Sequence, residues 1–433
     1  MIESVRVDYE ACSKPFMIVE GEMKYQEIFP VPREWVQDID EFMAETVTRW
    51  AEQEVIAGRL EHAEDYDKLL VPAIRKLFID IGLQSMLWPE ELGGGGLGTP
   101  ETAMTVATVL EQVGFADTGI GFLYANSFAL QHAFAVEPHR NGELLQELVP
   151  VFCGDEVAVG SLVLPGYGSG NPGEGGAFHG LAYQVAAESR NGGWALSGKA
   201  VRPQCSGKTA ALFAVAFDAG DGEPAVVLLK SDDDGLSSGE PFKKTGLAAS
   251  LNADLDLKEV EAPGALVILR GEERFREMLS VYYMCCAAIC VGSLLATYEI
   301  LKVWGDTRVI KGKGQEFKEN PLVASLMGEA AGGIATSRVL TYNLARMLSR
   351  PDIYGPPGSQ ATYATATVIF KHVTRSAMLS MNNTMELMGS AGYATEWNLE
   401  RYWRDVKCIE NSVIPETAAR VDLARHFFGC RTL

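Results

Sequence analysis

Among the eight cysteines of this 433-residue chain, at positions 12, 153, 205, 285, 286, 290, 408 and 430, there is no CxxC pair and no zinc-type spacing. They read as reduced thiols. The six histidines do not cluster, so spacing supports neither a histidine metal site nor a Ser-His-Asp triad. Positive charge is in short supply: 37 Lys and Arg stand against 57 Asp and Glu, a net charge of -20. That balance argues against a broad surface for nucleic acid or anionic lipid, since either polyanion is repelled, and leaves room only for a local basic pocket. The opening residues MIESVRVDYEACSKPF lack a positive segment followed by an apolar one, so no secretory signal is expected and the expected compartment is the cytoplasm.

What is present is apolar bulk. A hydrophobic content of 47% over this length is enough for large cores in two or three domains. One run, Val281–Tyr298, is long and apolar enough to raise the question of a membrane span. Its adjacent tyrosines Tyr282 and Tyr283, its small residues and its acidic flanks Glu277 and Glu299 assign it instead to the centre of a helical bundle. No membrane span is expected. Cys285, Cys286 and Cys290 lie in this run among Ala, Ile, Val and Met, where a thiol behaves as a small hydrophobe.

Three compositional zones follow an N-terminal arm at 1–30. In 31–153 apolar residues recur at spacings of three and four, in Trp35–Glu54, Val71–Gly82 and Glu101–Val113, and predict amphipathic helices. In 154–269 short β-type runs alternate with Gly, Asp and Asn clusters: Val157–Leu164, Ala182–Ala187, Trp194–Ser197, Ala211–Phe217, Ala225–Lys230 and Ala253–Leu257. A small barrel or sandwich suits that spacing. From 270 to 433 helical periodicity returns in long segments.

The segment Glu386–Arg425 resembles the last two helices of the acyl-CoA dehydrogenase family, with the turn Gly389-Ser390-Ala391-Gly392-Tyr393 and the tetrad Arg404-Asp405-Val406-Lys407. Further elements match in order: Pro89-Glu90-Glu91-Leu92-Gly93-Gly94, Gly198-Lys199 followed by Val201-Arg202-Pro203-Gln204, Gly246-Leu247 through Val260–Pro263, and Arg308 with Gly312-Lys313. The resemblance implies an α+β fold with an N-terminal helical domain, a central small β barrel or sandwich and a C-terminal four-helix bundle. It implies FAD between the β domain and the bundle, an acyl-CoA substrate oxidised at its α,β carbons, and electron-transfer flavoprotein as electron acceptor. It also implies a homodimer or homotetramer, or a heteromer with a paralogue.

On this resemblance Arg308 pairs with the flavin pyrophosphate, and the turn holding Gly389, Ser390 and Gly392 offers it backbone N–H groups. At the ring the chain departs from the family pattern. The usual Thr/Ser-Glu-Pro is Val163-Leu164-Pro165, so Leu162 and Val163 take the flavin-edge positions without a hydroxyl, and the usual Trp-x-Thr is Arg202-Pro203-Gln204. The letters GxGxxG at Gly168–Gly173 precede no helix, and Gly166–Gly176 reads as a long loop over the β domain.

The expected reaction needs a carboxylate to remove the α proton. Counted from the tetrad, the family's base falls on Val413, and the alternative position of some members falls near Tyr282, which is no base at neutral pH. Three glutamates are therefore the candidates, in the order Glu416, Glu91 and Glu410. Tyr124, Tyr282 and Tyr283 suit a cyclic or bulky acyl group. Two other readings stand beside the dehydrogenase: a partner subunit without catalysis that lends Arg308 and the Gly389 turn to a paralogue's flavin, and a decarboxylase, lyase or monooxygenase on the same fold.

Overall fold

The computed structural model describes residues 25–166, 175–310 and 312–430. Most of the N-terminal arm, Cys12 and most of the loop 166–176 lie outside the described residues.

The first amphipathic helix, α1, spans Asp38–Trp50. It starts later than the apolar spacing suggested because a capping box forms there: the Gln37 side chain takes the backbone N–H of Asp40, while Asp40 accepts the Gln37 backbone N–H at 2.9 Å. Ala44, Val47 and Trp50 then point inward at a spacing of three. Helix α2 spans Thr102–Ala116 and α3 Thr118–Ala135. Every residue of α3 is buried, so this helix has no polar face and no amphipathic period by which to announce itself. Helix α4, Gly142–Phe152, closes this region.

Among the described residues of the next region ten strands follow: β1 Gly160–Val163, β2 Gly175–Phe178, β3 Leu181–Tyr183, β4 Ala186–Arg190, β5 Gly193–Val201, β6 Leu212–Asp218, β7 Pro224–Lys230, β8 Leu236–Ser238, β9 Leu255–Pro263 and β10 Val267–Arg270. They form two four-stranded sheets, in the orders β1-β6-β7-β10 and β4-β5-β9-β8, with β2 and β3 paired as a separate hairpin. The expected run Ala182–Ala187 is in fact two short strands, divided at Gln184 and Val185. In β6 the period-two rule places Phe213, Val215 and Phe217 in the core between the sheets and Leu212, Ala214 and Ala216 in the helical core on the other side. Both faces of this sheet are therefore covered.

The C-terminal helices are α5 Glu272–Thr307, α6 Pro321–Ser349, α7 Gln360–Met388, α8 Leu399–Ser412 and α9 Glu416–Phe428. The apolar window of α5 is wholly buried inside the protein, against α2, α3, α6 and α7, as a core helix is. Cys285, Cys286 and Cys290 are buried on it, and burial pushes all three thiols above the ordinary range. Helices α2 and α5 cross at glycines: a Cβ on Gly114 would lie 2.3 Å from the Ile289 carbonyl oxygen, and one on Gly292 would lie 2.1 Å from that of Glu111. Only hydrogen side chains permit that approach.

Candidate functional site

A narrow cleft opens where the end of β1, the β2–β3 turn, the first turns of α5 and the junction of α8 with α9 meet. Its walls include Leu164, Phe178, Phe275, Leu279, Tyr283, Val413 and Ile414. Val413, at the position of the family's base, is a wall residue. The ionisable groups on the cleft are His179, Asp422, Tyr283 and Tyr363.

These four form one connected cluster. His179 sits at positive φ on the β2–β3 turn, its Nε2 3.0 Å from Glu272 Oε1 at the start of α5 and its Nδ1 2.8 Å from Asp422 Oδ1 on α9. The Asp422 contact lies off the line of a ring N–H and acts as an ion pair rather than a directed hydrogen bond. Burial pulls the imidazolium down, yet the two carboxylates outweigh it and the net shift is upward. Tyr363 lies beside Asp422 and against the Tyr283 ring at 6.0 Å, and burial raises both phenols, so they stay neutral hydroxyls.

The three candidate glutamates lie elsewhere. Glu416 begins α9 with its carboxylate 2.8 Å from Arg420, 3.8 Å from Lys371 and 4.0 Å from Arg375. Glu410 pairs with Lys407 at 2.6 Å. Glu91 is exposed on the single helical turn Glu90–Leu92. None of the three lines the cleft. Lys371, buried on α7, donates to the carbonyl oxygens of Glu410 at 2.9 Å and Ile414 at 2.6 Å, and so caps the end of α8 just where Val413 turns into the cleft. Burial lowers its pKa, with Glu416 and Glu410 opposing.

The residues expected at a flavin ring are brought together, but they are engaged with one another. The Gln204 backbone N–H donates to the Leu162 carbonyl at 2.8 Å, and the Leu162 N–H reaches Asn126 Oδ1 at 3.4 Å. Asn126 in turn donates to the Tyr282 hydroxyl at 3.2 Å. Gln184 bridges the two strand ends: its amide nitrogen donates to the carbonyls of Leu164 at 2.8 Å and Arg202 at 3.0 Å, and its oxygen accepts the Arg202 N–H at 2.8 Å. The Arg202 guanidinium holds Asp254 with two bonds of 2.8 and 3.0 Å and lies over the Phe242 ring. Val163 faces the core of the β domain. One polar atom here is buried without a partner, Oε1 of Gln204.

The expected pyrophosphate residues behave differently. Arg308 ends α5, exposed, with its guanidinium 4.6 Å above the Trp304 ring. Trp304 meets Trp397 edge-on at 5.3 Å, which brings the end of α5 to the connection between α7 and α8. That connection begins with the turn Gly389–Tyr393, where Gly389 has φ +60° and Gly389 and Ser390 are exposed, while Gly392 packs on Met385.

Sequence reasoning missed His179, Asp422, Gln184 and Lys371. Asn126 carried a signal, being an amide in the middle of an otherwise apolar helix, where it requires a partner. The others acquire their partners only through the tertiary fold.

Residues 37–137 match the acyl-CoA dehydrogenase N-terminal domain, and residues 270–411 match the acyl-CoA dehydrogenase C-terminal domain. Together these matches cover more than half of the chain. The chain belongs to the acyl-CoA dehydrogenase family. It is 24% identical over 396 residues to a probable acyl-CoA dehydrogenase of Bacillus subtilis, covering 89% of this chain and 97% of that one. It is 25% identical over 347 residues to cyclohex-1-ene-1-carbonyl-CoA dehydrogenase of Syntrophus aciditrophicus, covering 77% of each. Among solved structures, a glutaryl-CoA dehydrogenase from Mycobacterium smegmatis in complex with FADH2 superposes with a TM-score of 0.73 at 16% identity, covering 94% of this chain and 98% of that one. Membership makes the chain a member of an oxidoreductase family and matches the helical, β and helical order of its elements. At the ring edge Leu162, Leu164 and Arg202 bond their backbone groups to Gln204, Asn126 and Gln184, which leaves the buried Gln204 Oε1 as an acceptor for a donor outside the described residues. Arg308 and the Gly389 turn are open and do fit a pyrophosphate.

Proposed function

We propose that this acyl-CoA dehydrogenase family chain works in the FAD-dependent oxidation of a CoA thioester at its α and β carbons, with electrons passing on to electron-transfer flavoprotein. The observations that support this reading are the exposed Arg308 at the end of α5 and the exposed Gly389 turn in the α7–α8 connection that Trp397 joins to Trp304. A guanidinium and a glycine turn each suit a diphosphate, the one in charge and the other in backbone approach. The assembly is a homodimer, a homotetramer or a heteromer with a paralogue, and its compartment is the cytoplasm.

The acyl group we assign is cyclic or otherwise bulky. Phe178, Phe275, Tyr283 and Tyr363 line the cleft with aromatic side chains, a lining on which a ring can stack. The relative named for a cyclohexene carbonyl thioester supports that assignment. The test is a screen of CoA thioesters against the assembly as isolated from cells, read by loss of flavin absorbance. Bleaching by a cyclic thioester in preference to a straight-chain one is the expected result, and a flavoprotein assembly that no thioester bleaches overturns the function.

A further inference from the structure

We propose that Asp422, steadied by His179, is the general base of this chain, and that its carboxylate takes the α proton of the thioester in place of the carboxylate that Val413 does not supply. The proposal rests on the thioester-oxidising reading above and names the residue which that reading requires.

Removal of an α proton calls for a proton acceptor on the wall of the cavity that holds the acyl group. Among the described residues of the cleft, four can ionise: His179, Tyr283, Tyr363 and Asp422. Burial keeps both phenols neutral, and a neutral phenol is no base for a carbon acid. Each ring nitrogen of His179 faces a carboxylate, Glu272 at 3.0 Å and Asp422 at 2.8 Å, so neither is free to take a proton from a ligand. Asp422 is the group that remains.

The geometry of α9 explains why Asp422 and not Glu416 meets the cleft. Ala418 and Asp422 stand one turn apart on the same face, and both line the cleft. Glu416, two residues before Ala418, lies about 200° round the helix. There its carboxylate is held by Arg420 and Lys371.

His179 prepares the carboxylate. Its ring stacks on Phe178 at 4.0 Å and meets Tyr363 edge-on at 5.6 Å, which together with Glu272 fixes the imidazole beside Asp422. Because the Asp422 contact lies off the line of a ring N–H, it sets positive charge next to the carboxylate without spending a directed hydrogen bond on it. Asp422 is 4% exposed, and Leu164, Phe275 and Leu279 line the same cleft with apolar surface. In the step, the α C–H bond breaks and its proton goes to Asp422. The electron pair of that bond forms the α,β double bond, and the β hydrogen leaves as hydride to the oxidised flavin of the proposed reaction.

The test separates deprotonation from oxidation. Cyclohexylacetyl-CoA with a methyl group on its β carbon has α hydrogens but no β hydrogen, so it can lose a proton and cannot be oxidised. The assembly as isolated from cells is incubated with it in deuterium oxide, and deuterium at the α carbon is followed by mass spectrometry. Exchange is expected in the parent and is expected to slow by about 10²–10⁴-fold in Asp422→Asn, with flavin content and helical circular dichroism retained. Oxidation of a cyclic thioester is expected to slow with it. Asp422→Glu, which keeps a carboxylate displaced by one methylene, is expected to fall between the two. Where the asparagine variant does not fold, slower exchange in a folded Asp422→Glu upholds the proposal and parental exchange overturns it. Parental exchange or oxidation in a folded Asp422→Asn overturns the proposal and leaves the function standing. Asp422-dependent exchange in an assembly that oxidises no thioester upholds the proposal and overturns the function. An assembly that neither exchanges nor oxidises any thioester overturns both.

Discussion

The imidazole of His179 stands 2.8 Å from the carboxylate of Asp422, joining the β2–β3 turn to the last helix across 243 residues of chain. Because Glu272 holds the other ring nitrogen, the hairpin, α5 and α9 share one charged junction.

That junction makes stability depend on pH. His179 has its pKa raised in the folded protein, so its contribution is complete below the unfolded value near 6.5 and disappears as pH rises through the folded value. His179→Gln is therefore expected to lower stability by about 1–3 kcal/mol at pH 6, mainly through the buried Asp422 contact, and by less at pH 9. Urea denaturation across that range checks it. A difference that stays constant or grows with pH rules out a charged junction.

A second prediction concerns Asp117, which caps α3 and accepts from Arg59 at 2.6 Å while Arg401 lies 3.5 Å away. Both arginines are buried, so Asp117→Asn strands two guanidinium groups without their common anion. The expected loss is about 3–5 kcal/mol. A denaturation midpoint close to that of the parent protein contradicts this.

Lys371→Met keeps the length of the side chain but leaves the carbonyls of Glu410 and Ile414 without their donor. The expected cost is about 2 kcal/mol or more, with faster amide exchange confined to the end of α8. Uniform exchange across the bundle argues against a local cap.

Glu416→Gln addresses the base. With its carboxylate held by Arg420 and Lys371, the variant is expected to leave thioester-dependent flavin reduction in the assembly within about twofold of the parent rate. Slowing by about 10²–10⁴-fold identifies Glu416 as the general base.

Much of the architecture was legible because it follows from periodicity. The spacing of Val47 and Trp50, the alternation in β6 and the closing Gly389 turn all have local causes. Helix α3 was illegible for the complementary reason, since a helix buried on every side shows no period. At the site, the absence of a carboxylate at Val413 could be read by counting, and the structure puts Val413 on the cleft wall. His179 could not be read that way. Its partners are 93 and 243 residues distant, and six scattered histidines give no hint that one of them will sit between two acids. The same holds for Gln184, whose bridge exists only once β1 and the segment after β5 lie side by side.

The double coverage of the sheet containing β6 bears on how anything reaches the cleft. A domain that buries Leu212, Ala214 and Ala216 against the helices cannot swing away from them without wetting that whole face, and α2 and α5 are locked at Gly114 and Gly292 besides. Hinged opening of the β domain is thereby disfavoured, and the β2–β3 turn, tied through His179 to Glu272 and Asp422, is fastened to the same block of helices.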